Sequence, residues 1–208
     1  SMMKRPDIQG VRGLAIAAVL AFHLDDKRFP AGFIGVDIFF VLSGYLMSVI
    51  LSKENNLNLT VFRDFYTRRF KRIVPLYAIL LFSLTIIVPC FLLKRDVLKF
   101  CKDVVWAALF ATNIQVVLEK KDYFTELFDS NVLTHTWSLG VEIQYYIIVP
   151  FIVLSHRKLS KQCKYPFLII LLAASLMFQL FSSPTSAFNF LPARVWQFLA
   201  GGLVHEVS

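Results

Sequence analysis

The chain has 208 residues, 57% of them apolar and only 17% charged, and carries a net charge of +8. Soluble domains carry about 25% charged residues; here apolar runs of spanning length recur instead, the pattern of a polytopic helical membrane protein folded as one bundle. The basic residues lie in short connections between those runs, where positive charge sets membrane orientation, and this argues against a nucleic-acid binder, which would expose a basic face on a soluble fold.

In chain order the pattern predicts seven apolar helices, over residues 11–24, 32–52, 73–93, 104–118, 139–154, 167–181 and 190–204. The second and third have full spanning length; the others cross only inside a bundle or with extra turns in the interface. The first run follows Lys4 and Arg5 as a secretory signal would. Arg12 inside it, His23 at its end and the lack of a small-residue cleavage pattern favour a retained span. Arg12 and His23 stand eleven residues apart. At roughly 100° per residue they return to within about 20° of one another, on one helix face and about 16 Å apart along it. A guanidinium and an imidazole on one stripe of an apolar helix are costly in lipid, so this face is expected to meet a protein interior or a wet cavity.

Between the second and third runs lie Lys53, Arg63, Arg68, Arg69, Lys71 and Arg72. Residues 59–72 of this connection read as an amphipathic helix on the membrane surface. The positive-inside rule puts the connection, and with it the N-terminus two crossings earlier, in the cytoplasm. Cys90, Cys101 and Cys163 form no CxxC or Cys/His cluster. Neither a metal site nor a disulfide framework is expected, and the three read as small apolar packing residues.

Five stretches carry a family resemblance. The opening reads Arg5-Pro6-Asp7-Ile8-Gln9-Gly10-Val11-Arg12, then His23; next come Gly35-Val36-Asp37-Ile38-Phe39-Phe40-Val41-Leu42-Ser43-Gly44 and Arg69-Phe70-Lys71-Arg72. Thr136-Trp137-Ser138-Leu139-Gly140-Val141-Glu142 and Pro192-Ala193-Arg194-Val195-Trp196-Gln197 complete the series. In this order they resemble the motifs of the acyltransferase-3 family of integral-membrane acyltransferases, which includes bacterial O-antigen and peptidoglycan O-acetyltransferases and a large set of nematode proteins. The Arg-x10-His spacing is that family's hallmark, and the chain looks like a nematode-type member. The resemblance covers the N-terminal two-thirds of a family domain, so residues 1–208 are expected to form a single domain incomplete at its C-terminus.

Chemistry singles out particular residues. Acyl transfer to a hydroxyl needs a base near neutral pH, and imidazole suits that task, so His23 is the candidate base. Arg12 suits a phosphate-bearing donor, because guanidinium binds phosphate in bidentate fashion. Arg69 and Arg72, three apart, share a face if helical and are further candidates for the donor phosphates. Asp37 and Glu142 lie inside apolar runs, where a bare carboxylate must be paired, protonated or wet. Either could orient His23 as the third member of a triad; Arg12 and Arg194 are alternative partners. Ser43 reads as a packing residue beside Gly44 rather than a nucleophile, since no nucleophile-elbow pattern surrounds it. Trp137 and Trp196 read as interface anchors or cavity walls. His135, in a polar connection, is a secondary candidate.

The resemblance implies transfer of an acyl group, acetyl first, from acyl-CoA to a hydroxyl of a carbohydrate, lipid or small molecule, with no metal. A proton-coupled carrier lined by Arg12, His23, Asp37, Glu142 and Arg194 is the competing class. An inactive membrane protein that only pairs with partners is the third.

Overall fold

The computed structural model describes residues 6–54, 58–119 and 132–207, and within them every regular element is helical. Helix α1 (Pro6–Leu24) opens on a proline, which needs no N–H partner in a first turn. Helix α2 (Ile34–Ser52) follows. In α3 (Leu59–Ile87) the Asn58 side chain caps the start, accepting from the Val61 N–H at 3.0 Å. The basic segment 59–72 is therefore no separate helix but the first half of α3. Pro75 lies inside that span, where it deletes one backbone donor without ending the helix.

The run 104–118 was expected as one helix and is two, α4 (Lys94–Ala108) and α5 (Thr112–Leu118). Phe110 adopts φ 53°, a left-handed conformation that costs a non-glycine residue roughly 1–2 kcal/mol. The elbow is held from α6 (Trp137–Lys158), which follows a single 3-10 turn at Thr134–Thr136. Gln144 donates to the Phe110 carbonyl at 3.2 Å and exchanges amide hydrogen bonds of 2.9 and 3.1 Å with Asn113. Gly140 makes room, since a Cβ there would sit 2.8 Å from the Phe110 oxygen. Helices α7 (Lys161–Phe181), α8 (Pro184–Asn189) and α9 (Leu191–Val207) complete the described chain.

Among the described residues, five segments are long and apolar enough to cross a membrane: Pro6–Leu24, Ile34–Ser52, Leu59–Cys90, Thr134–Lys158 and Lys161–Phe181. Their outer faces are apolar too; Leu76, Phe82 and Ile170 are 74%, 68% and 65% exposed. So much bare hydrocarbon suits lipid, not water. The cysteines depart from expectation: Cys90, Cys101 and Cys163 are exposed free thiols rather than core packing.

The core is built around α2. Its Phe40 stacks on Phe198 of α9 with ring centres 4.8 Å apart, and Phe198 stacks in turn on Tyr145 of α6 at 4.0 Å. Two glycines let α2 and α9 touch backbone to backbone. A Cβ on Gly44 would lie 1.9 Å from the Phe198 carbonyl, and one on Gly201 would lie 2.0 Å from that of Val41. Paired positions rise together along both helices (Asp37 with Arg194, Ser52 with His205), so α2 and α9 run parallel. Helix α6 shares that direction, from Phe40 beside Trp137 to the Arg157 guanidinium that donates to the Leu51 and Glu54 carbonyls closing α2. Helices α1 and α3 run the other way: Gly32, in the turn before α2, and Gly35 of α2 meet Ala18 and Ala15 of α1, and Phe62 and Arg69 of α3 meet Phe151 and Tyr146 of α6. One end of the bundle thus gathers the starts of α1 and α3 with the ends of α2, α6 and α9.

Candidate functional site

A cavity of about 370 Å³ opens between α1, α2, α3 and α6, and Arg12, Arg69, Arg72, Ser43, Glu142 and Tyr146 all line it. Three helices bring one arginine-rich wall and one acidic wall together. Arg69 and Arg72 share a face of α3, and the Arg69 guanidinium lies 5.5 Å from the Tyr146 ring centre and 5.8 Å from that of Phe65. Glu142 is held by neutral donors: the Ser43 hydroxyl donates to its Oε1 at 2.5 Å, and the Tyr146 hydroxyl, one turn along α6, donates to the same oxygen. Neither bond neutralises a guanidinium, so the wall keeps positive charge to offer an anion. Ser43 does more than pack; its hydroxyl is committed to the carboxylate.

Helix α1 is continuous, but only part of the Arg12–His23 stripe meets the cavity: Arg12 and Val19 line it and Ala15 between them is buried, whereas His23 is exposed and does not line it. His23 lies one turn beyond Val19, at the opposite end of the bundle from the start of α1, and its Nδ1 donates to the Val19 carbonyl at 2.7 Å. Its Nε2 faces His135 Nδ1 at 3.3 Å, with ring centres 4.7 Å apart. His135 comes from the 3-10 turn ahead of α6. In the sequence its one signal was a place two residues before Trp137, and nothing there linked it to a residue 112 positions earlier.

Among the described residues neither carboxylate bonds His23; a backbone carbonyl does what a triad carboxylate would, fixing the tautomer. Asp37 pairs instead with Arg194, 3.0 Å from Nη1. Arg194 is 4% exposed. It also donates from Nε to the Phe188 carbonyl at 2.8 Å and lies 4.9 Å from the Phe188 ring centre and 5.9 Å from that of Trp137. Trp137 is buried in the wall of this ion pair rather than anchored at the interface, and Trp196 donates to Gln179 at 2.6 Å. No group of three His, Cys, Asp or Glu side chains suited to a metal ion occurs among the described residues.

Apolar spans around a charged internal cavity define an integral membrane protein with a polar site inside it. The chain belongs to the acyltransferase-3 family: the family model Acyl_transf_3, described as "Acyltransferase domain", matches residues 5–207. The chain is 38% identical over 148 residues to the "Putative peptidoglycan O-acetyltransferase YrhL" of Bacillus subtilis, covering 70% of this chain and 23% of that one. It is 35% identical over 162 residues to the peptidoglycan O-acetyltransferase OatA of Listeria monocytogenes, covering 76% of this chain and 26% of that one. It is 33% identical over 156 residues to the "Putative O-acetyltransferase SAS0844" of Staphylococcus aureus, with 74% and 25% covered. The chain thus spans about a quarter of the length of the curated relatives it matches. No solved structure matches it.

Proposed function

We propose that this bundle carries out membrane O-acylation, moving an acetyl group from acetyl-CoA to a hydroxyl-bearing acceptor. A glycan hydroxyl comes first among acceptors, since two of the relatives above bear peptidoglycan in their names. The observation that carries the reading is the cavity in which Arg12, Arg69 and Arg72 converge, on the same α1 that carries His23. The arginines hold the donor's phosphates, and His23 is the final acceptor of the hydroxyl proton. The oxygen attacks the thioester carbonyl, the C–S bond breaks and coenzyme A leaves. Entry of the donor is from the end bearing the starts of α1 and α3, the cytoplasmic side by the positive-inside rule.

Asp37 is assigned a structural role through Arg194, and Glu142 the role of shaping the cavity wall. The Ser43–Glu142 bond of 2.5 Å favours one variant, an acyl-serine intermediate, and trapping labelled Ser43 would reveal it. The primary test incubates full-length protein in membranes with labelled acetyl-CoA and follows the label into the acceptor. His23→Ala is expected to lower turnover by about 100-fold or more. Wild-type turnover in that variant would remove His23 from the chemistry.

A further inference from the structure

The two imidazoles at the mouth of the bundle fix one another's protons. The Val19 carbonyl can only accept, so His23 Nδ1 carries hydrogen and the lone pair of His23 sits on Nε2. That lone pair already faces His135 Nδ1 at 3.3 Å. His135 Nδ1 must therefore donate, which leaves the free lone pair of the pair on His135 Nε2. Both residues are exposed, and no hydrogen bond to His135 Nε2 occurs among the described residues. A hydroxyl reaching this end of the bundle meets its open base there, not on His23.

We propose that His135 is a catalytic residue and the first station of a two-histidine proton relay; this rests on the acyl-transfer reading above. As the hydroxyl oxygen attacks the acyl carbonyl, its proton passes to His135 Nε2. The proton on His135 Nδ1 moves to His23 Nε2. His135 ends neutral in its other tautomer, and His23 ends as the imidazolium. The positive charge comes to rest beside the Val19 carbonyl in the last turn of α1, where the helix dipole favours a cation. Return of the proton to the departing thiolate resets both rings, so no oxidant or further reactant is needed.

The discriminating variants are His135→Ala and His135→Asn, each in the full-length protein with labelled acetyl-CoA. Asparagine keeps a donor near the Nδ1 position but has no basic nitrogen. Both variants are expected to lose about 100-fold in kcat with little change in the KM for acetyl-CoA, and free imidazole is expected to restore much of the loss in His135→Ala. Near-normal kcat in His135→Asn would reduce His135 to a hydrogen-bond donor and overturn the relay, as would failure of imidazole to rescue a His135→Ala protein whose thermal unfolding matches wild type. If the alanine variant does not fold, the asparagine variant alone decides. Wild-type protein that transfers no label would instead overturn the acyl-transfer reading, and the relay with it.

Discussion

Asp37 and Glu142 both place a carboxylate inside an apolar helix, yet their surroundings are built on opposite plans. Around Asp37 the charge is paired: an almost fully buried arginine, itself packed against two aromatic rings, lies 3.0 Å from the carboxylate. Around Glu142 the partners are hydroxyls, and the cations that face it, Arg12, Arg69 and Arg72, stand on other walls of an open cavity. In the reading proposed above, the same residue types serve stability in one place and recognition in the other. What separates them is whether the counter-charge touches the carboxylate or is held back from it.

The contrast can be broken at its paired end first. Arg194→Met strands the half-buried Asp37 without its counter-charge and should cost up to about 3 kcal/mol of stability. Thermal unfolding in detergent measures it, and adding Asp37→Asn should recover most of the loss. At the open end, Arg72→Ala should leave unfolding unchanged and raise the KM for acetyl-CoA. Loss of a hydrogen bond to a charged group costs about 1.5–3 kcal/mol, a factor of roughly 10 to 100. An unchanged KM would move the donor phosphates away from this wall. The smallest effect belongs to Tyr146→Phe, which removes one of two donors to Glu142 and should cost about 1 kcal/mol of stability. A larger loss would mean that Glu142, like Asp37, is a structural charge.

Much of this was legible from spacing. The apolar runs located the helices, and eleven residues from Arg12 to His23 placed both on one face of α1. What was hidden depends on contacts between distant segments. Asp37 had three candidate cations, and only the parallel packing of α2 and α9 selects Arg194. The break at Phe110 has no glycine or proline to announce it, because its support comes from Gln144 in another helix. Basic residues suggested a separate amphipathic segment over 59–72, whereas the helix runs on unbroken through Pro75, with Tyr66 bonded to the Ile147 carbonyl of α6.

The bare-backbone meeting of Gly44 and Gly201 has a mechanical corollary. At these two glycines no side chain cushions the contact, so sliding α2 along α9 would drive carbonyl oxygens into main-chain atoms. This pair is the keel of the bundle. Whatever widening is needed to admit a nucleotide-sized donor must fall on α1 and α3, the helices that carry the three arginines toward the cargo they would grip.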